Sequence, residues 1–341
     1  MKFSHAEQKL DVYDVLMGGK NSWDPAETPF FNRLRKGPDT PNAALCQYPF
    51  DAADAPATTG RAQGGEWTQA VTTNRGNEDM LYCRMHYLKE PWGVGEVTQA
   101  DQGYGTSDED PAMRQMRLAL RAIIKGLDLV AIGNGESQAG SNSAAYQTRG
   151  MERILWDTAN IANQTDTATI IPAAFRPAAA QVKQVTVSGG DYAFAESDLK
   201  AISEAQYTAL KAKVKQDVYC TPKFKGKVGD WGNLNPTVTD YTNVRRFNHA
   251  AADKTIIATI DTWQGDCAEY RLMLEPFLRY STSDQKMEAF SVEDRWVTWR
   301  TRWAPKAEQV DTRGSGEGGI AYAMMALQVI PQYLFKVYRD S

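Results

Sequence analysis

Between residues 107 and 133 the sequence writes one long amphipathic helix, and a rod of that length dictates how the rest of the chain must pack. Ser107-Asp108-Glu109-Asp110-Pro111 supplies an N-cap candidate, acids in the first turn and a proline near the first helical position. Met113, Met116, Leu120, Ile123, Ile124, Leu127 and Val130 then recur at three- and four-residue spacing. Arg114, Arg117, Arg121, Lys125 and Asp128 fall largely off that stripe, and Gly133 and Gly135 end it. At 1.5 Å per residue the rod is about 35–40 Å long. Most globular helices are shorter, so this one reads as a structural strut.

The segments ahead of the strut are unusual in the opposite sense. Residues 46–105 carry no helical period: Gln47-Tyr48-Pro49-Phe50 is a short apolar piece, residues 51–65 have little to bury, and Met80 to Leu88 reads as a strand. A second strand is expected through Val94-Gly95-Glu96-Val97-Thr98. So long a connection without a helix is uncommon inside a compact domain, and it predicts a projecting hairpin that packs on something outside its own core. Earlier still, Leu10, Val12, Tyr13, Val15 and Leu16 predict a short helix closed by Gly18-Gly19. Asp24-Pro25-Ala26-Glu27-Thr28-Pro29-Phe30-Phe31-Asn32-Arg33-Leu34 follows, with prolines that hold the chain open and aromatics that have nothing local to pack against. Such an arm makes sense if another subunit receives it.

Beyond the strut, residues 135–150 form a loop of small residues and 157–195 read as irregular. A second helix is predicted from Ser197 to about Lys215, on a stripe of Leu199, Ile202, Ala205, Ala209 and Leu210. Val218-Tyr219-Cys220-Thr221 reads as a strand and 223–253 as turns. Strands are expected at 255–263, 267–274 and 295–303; in the last, Val297, Trp299, Thr301 and Trp303 alternate with Trp296, Thr298, Arg300 and Arg302. The glycine cluster at 314–319 reads as a flexible turn leading into an apolar segment, 320–330.

Sites of chemistry are missing from this pattern. The net charge of −4 on 341 residues supplies no basic field for nucleic acid. No run is long and apolar enough to span a membrane, and the N-terminus shows no signal peptide. His5, His86 and His249 stand apart with no partner at metal-ligand spacing. Cys46, Cys83, Cys220 and Cys267 form no CxxC and read as four reduced, mostly buried thiols. Gly133-Asn134-Gly135 follows a helix where a phosphate loop follows a strand, and 314–319 lacks a GKS or GKT. Trp and Arg in 295–303 could stack nucleobases, but a strand buried on both faces shows the same alternation. No catalytic, cofactor or metal residue is nominated.

The order of arm, long hairpin loop, capped strut, mixed central region, late strands and apolar return resembles the major capsid proteins of tailed bacteriophages, the Hong Kong 97-type fold. Three local patterns bring it near the SU10-like branch. Asp24-Pro25-Ala26-Glu27-Thr28-Pro29-Phe30 is similar to the Asp-Pro-x-x-Thr-Pro-Phe arm of that branch. Ala145-Tyr146-Gln147-Thr148-Arg149-Gly150-Met151 falls where it carries an Ala-Arg-x-x-Gly-like turn, and Thr262-Trp263-Gln264-Gly265 where it has an aromatic-Gly turn.

The resemblance implies an α+β fold with an N-arm (1–45), an extended E-loop (46–106), a spine helix and the first part of the peripheral, or P, domain (107–195), an axial, or A, domain (196–262), and late strands returning to the P-domain (263–341). It implies a self-assembling shell protein without cofactor or enzymatic activity. Hexamers and pentamers would form an icosahedral or prolate head around double-stranded DNA, assembled in the host cytoplasm. Scaffolding, portal and decoration proteins would be separate partners, and the DNA would be held without sequence-specific binding. No matched Lys–Asn pair supports covalent cross-linking, so a non-covalent shell is expected. Phe30, Phe31 and Leu34 of the arm, with Trp67, Tyr87 and Trp92 of the loop, are expected as intersubunit anchors. An encapsulin-like nanocompartment subunit, or a β-rich ligand-binding protein or enzyme with Trp296, Trp299 and Trp303 lining a groove, are the other classes such a chain could join.

Overall fold

A computed structural model describes residues 27–37, 44–51, 78–95, 111–141, 143–156, 164–188, 191–231, 261–280, 285–310 and 316–340. The predicted helix at 10–16, the loop residues 52–77 including Trp67, the predicted strand end at 96–98, and His5 and His249 lie outside these.

The strut is present as a 22-residue helix, Pro111–Ile132. Met116, Ala119, Leu120, Ile123, Ile124, Leu127 and Ala131 are buried along one face, as the period requires. That face lies on a four-stranded sheet. Its strands are Arg35–Gly37 (β1), His86–Gly95 (β4), Val297–Gln309 (β12) and Gly316–Val329 (β13), in the order β1-β12-β13-β4. The apolar segment at 320–330 is therefore a central strand. Nearly every residue from Ala321 to Leu327 is buried, because helix packs on one face of β13 and other segments cover the second. A continuous apolar run is what double burial selects in a strand. The glycines at 316–319 belong to the same strand and are no loose turn. Gly319 is the one that matters: a Cβ there would sit 2.1 Å from the Glu308 carbonyl oxygen and 2.6 Å from the Trp92 ring, so its bare backbone makes the shelf on which that indole lies.

A six-stranded sheet forms the second layer, in the order β5-β14-β11-β8-β10-β9. Its strands are Val182–Val185 (β5), Val214–Cys220 (β8), Thr262–Gln264 (β9), Ala268–Leu274 (β10), Gln285–Val292 (β11) and Lys336–Asp340 (β14), while the two-residue strands Val187–Ser188 (β6) and Asp191–Tyr192 (β7) pair only with each other. It gathers strands from both sides of position 262, so its residues are not contiguous in sequence. Glu196–Leu210 and Pro222–Asp230 are the helices associated with it. Its core includes Phe194, Leu199, Ile202, Val218, Phe224, Trp263, Tyr270 and Phe335. The first of these helices stops five residues before the predicted end. Lys211 closes it in the left-handed region at φ 54°, and Val214 and Lys215 pair instead with Ala268 and Glu269 in a parallel ladder. The second helix was expected as turn-rich chain. Thr221 caps it by accepting a hydrogen bond from the Phe224 amide at 3.3 Å, and Pro222 sits at its start.

Leu45–Asp51 (β2) and Glu78–Arg84 (β3) make a separate antiparallel ribbon, which supports the hairpin expected from 46–105. Cys46 and Cys83 face each other across it as free, buried, hydrogen-bonded thiols. The two cysteines are neighbours in space despite their distance in sequence.

Candidate assembly surfaces

The arm residues depart most from expectation. Pro29–Arg33 is a short helix, α1, wedged between the two layers. Phe30 is fully buried, with its ring edge-on to Tyr219 of β8 (5.3 Å) and Phe290 of β11 (5.4 Å). Phe31 packs against Trp299 of β12 at 5.8 Å. Leu34 is 2% exposed. The expectation that these three anchor a neighbouring subunit is corrected: they belong to the chain's own core. The arm turns back over its own spine helix, where Glu27 pairs with Arg121 and Lys125. Sequence distance hid the receptor surface, because Tyr219, Phe290 and Trp299 arrive 189 to 268 residues later. Trp92 is corrected in the same way, lying 8% exposed against Gly319.

Tyr87 remains partly exposed, on the sheet face away from the spine helix. Its ring is edge-on to Trp303 at 6.0 Å, and Trp303 is edge-on to Tyr322 at 5.9 Å. Arg302 lies over Trp303, and Lys306 over Tyr322. Trp303 is 40% exposed, so β12 carries its aromatics differently along its length: Trp299 points into the core and Trp303 out of it. Of the features on this side, the hairpin and Tyr87 were expected from the sequence, whereas the aromatic-and-cation row around Trp303 and Tyr322 and the polar cluster at the ribbon's end were not.

That cluster roots the ribbon in the body of the protein. Arg84, the last residue of β3, donates to both carboxylate oxygens of Asp166 at 2.5 and 3.1 Å. Asp166 also accepts from Ser137 Oγ at 2.9 Å. The Arg84 guanidinium, with Ser137 and the Ala168 amide assisting, holds the Asp166 carboxyl far below the usual carboxylate range. Arg149, only 5% exposed, donates to Glu136 Oε1, the Gln164 side chain and the Thr169 carbonyl, and Arg153 reaches the other Glu136 oxygen. Glu136 keeps a lowered pKa because Arg149 and the amides of Ser137 and Thr165 outweigh its burial. A charge as buried as that of Arg149 is tolerated because it is paired and hydrogen-bonded.

The Thr148-Arg149-Gly150 turn thus acquires a physical reason at every residue. Thr148 Oγ1 accepts from the Leu327 amide at 3.3 Å. Arg149 fills the cluster. Gly150 lies against the C-terminal turn of the spine helix, where a Cβ would come within 1.9 Å of the Gly133 carbonyl oxygen. Its φ of −83° is open to any residue, so space alone demands glycine. Gly150→Ala should lower subunit stability by about 3 kcal/mol, the upper range for a forced overpacking, read as a drop in denaturant midpoint at unchanged slope. A midpoint equal to the parent's would show that the turn gives way freely. Gly265 has a comparable role: a Cβ would meet the Trp263 ring at 2.4 Å, and that ring stacks on Tyr270.

Nothing in the described residues assembles a reaction centre. A cavity of about 500 Å³ lies at the end of the spine helix, lined by His86, Val130, Asn134, Thr148, Phe277 and Met287 among others. Burial pulls the His86 imidazole down to about 4, so it is neutral, and neither ring nitrogen has a hydrogen-bond partner among the described residues. A lone neutral imidazole without a bonded acid or nucleophile is no catalytic constellation. Among the described residues no group of His, Cys, Asp or Glu could hold a metal, and no helix is long and apolar enough to cross a membrane.

A long spine helix laid on a four-stranded sheet, a second sheet with its own helices, and a β2–β3 ribbon whose described residues pack against β13 and the main core define a shell-subunit fold of the Hong Kong 97 type. Solved phage and phage-like capsids share it. A capsid chain of cyanophage A-1(L) superposes with a TM-score of 0.59 at 13% identity, covering 95% of both chains. A chain from the native GTA particle capsid gives 0.55 at 12%, covering 94% of this chain and 91% of that one. A chain of Mycobacterium phage Bobi gives 0.52 at 14%, covering 100% of both. No curated protein matches in sequence. The chain matches the SU10 major capsid protein family over residues 11–340 and belongs to it. It is a structural shell subunit and a virion component.

Proposed function

We propose that many copies assemble, as hexamers and pentamers and without covalent cross-links, into a closed icosahedral or prolate head around double-stranded DNA, in the cytoplasm of the host. The observation that carries this reading is the family match across nearly the whole chain. The spine-helix layer takes the role of the P-domain and the six-stranded layer that of the A-domain. The ribbon continuing from β2 and β3 acts as the E-loop, reaching over an adjacent subunit, with Trp67 and Tyr87 among its contacts. The segment ahead of Glu27 is the part of the arm left to bind a neighbour. Individually modest contacts suffice, because each subunit makes several at once and closure of the lattice couples them. The acidic net charge keeps packed DNA from adhering, since non-specific affinity grows with basic contacts. Separate scaffolding, portal and decoration proteins complete the head.

Negative-stain microscopy of the protein produced with its neighbouring head genes tests the proposal. Closed shells tens of nanometres across, filled with DNA when packaging proteins are present, are the expected result. Discrete monomers whose melting temperature shifts with a small ligand would overturn it, and shells filled with enzyme cargo would point to a nanocompartment. Deletion of residues 1–26 should leave the subunit folded and impair assembly. Deletion to residue 36 removes core residues as well and so cannot separate the two effects.

A further inference from the structure

Two buried carboxylates from opposite layers hold α1 in place. Asp128, on the spine helix, is fully buried and accepts the Phe31 amide through Oδ1 at 2.9 Å. Glu275, just past β10, is 1% exposed and accepts the Phe30 amide through Oε2 at 3.3 Å and the Phe277 amide through Oε1 at 3.2 Å. The two acids therefore grip consecutive amides in the first turn of α1, where helix N–H groups have no partner within the helix. Neither forms an ion pair among the described residues. Three of the four carboxyl oxygens receive an N–H; the fourth, Asp128 Oδ2, is buried with no donor.

Two full negative charges this deeply buried, with only amides to balance them, are untenable. We propose that Asp128 and Glu275 are a proton-gated latch: a proton on Asp128 lets the pair hold α1 between the two sheets, and its loss to solvent sets two buried charges against each other and frees α1. Burial raises the pKa of both acids, and their mutual repulsion raises that of Asp128 further. For Glu275 the rise reaches about 7. The docked state thus binds more protons than the undocked one, so docking is strongest at low pH and weakens from the ordinary carboxylate range up to about 7.

Other charged groups around α1 are committed elsewhere. Arg33 is paired with Asp217 of β8, and Glu27 with Arg121 and Lys125 of the spine helix. Tyr219 of β8 donates to the Pro29 carbonyl, and burial raises its pKa above the usual phenol value. Glu288 of β11 is held by Arg339 and Thr221. Lys36 lies over the Phe31 ring with its pKa lowered by burial, and Lys36→Met isolates its share. The inference concerns contacts within one subunit and stands whether or not the shell reading does.

Hydrogen exchange of the full-length chain, read by mass spectrometry on peptides covering 27–36 and 320–330, tests the latch. Protection of the first peptide relative to the second should fall as pH rises from about 5 to 7, by about tenfold per pH unit for each linked proton. Asp128→Asn keeps an acceptor for the Phe31 amide and should flatten that slope, as should Glu275→Gln. A flat parent profile, or either folded variant keeping the parent slope, would overturn the proposal. Should Asp128→Asn not fold, Glu275→Gln and the parent profile still decide it.

Discussion

Phe30→Ala lowers the stability of the isolated subunit by about 3–5 kcal/mol, the cost of emptying a filled aromatic site in a core. The ring is completely buried and touches Tyr219 and Phe290, which themselves stack at 5.5 Å. Removing it leaves a cavity against two aromatics on neighbouring strands, Tyr219 of β8 and Phe290 of β11. Phe31→Ala acts on the other layer, through Trp299. An intersubunit anchor would behave otherwise: the subunit would melt normally and only assembly would fail. Chemical denaturation of the unassembled chain separates the two cases. A midpoint equal to the parent's would return Phe30 to the surface.

The strut was legible because its partner is generic. Any apolar sheet satisfies a stripe of Met116, Leu120, Ile123, Ile124 and Leu127, so the stripe alone announces the helix. Asp128 was assigned with the polar face and is fully buried, since its place is set by α1, a partner ninety-seven residues away that no local pattern encodes. The Phe30-Phe31 pair failed for the same reason. Aromatics without local partners signal a long-range contact, but nothing in the sequence says whether the contact lies in the same chain. The strand Gln285–Val292 was missed because Glu288 and Ser291 interrupt its apolar pattern. Both are buried, satisfied by Arg339 and Thr221 in one case and by the Phe335 amide in the other. The assembly surfaces were least legible. A ribbon rooted by Arg84 and Asp166 becomes recognisable only once the fold brings together residues 84, 136, 149 and 166.

These corrections alter how an interface must be sought on this chain. With Phe30, Phe31, Leu34 and Trp92 spent on the subunit's interior, the described residues still turn one aromatic row outward from the four-stranded sheet: Tyr87, Trp303 and Tyr322, flanked by Arg302 and Lys306. Aromatic and arginine side chains together are the composition that interface centres favour. Substitutions in this row should therefore impair assembly while leaving subunit stability unchanged, whereas substitutions at Phe30 or Phe31 should do the reverse.

Leu120→Asp abolishes folding, and Leu118→Asp, two residues away, does not. Leu120 has no exposure at all and sits mid-helix against the sheet. A carboxylate there has no cation to meet and loses its water, a burden of several kcal/mol set against a total stability of about 5–15 kcal/mol. Leu118 lies on the same helix but is 40% exposed, so its substitution changes stability by less than about 0.5 kcal/mol. Helix propensity is nearly equal for the two changes, which leaves burial as the only difference between them. Soluble yield and circular dichroism give the comparison directly. If both variants fold alike, the spine helix is not seated on the sheet, and the layer that supports every contact described above is placed wrongly.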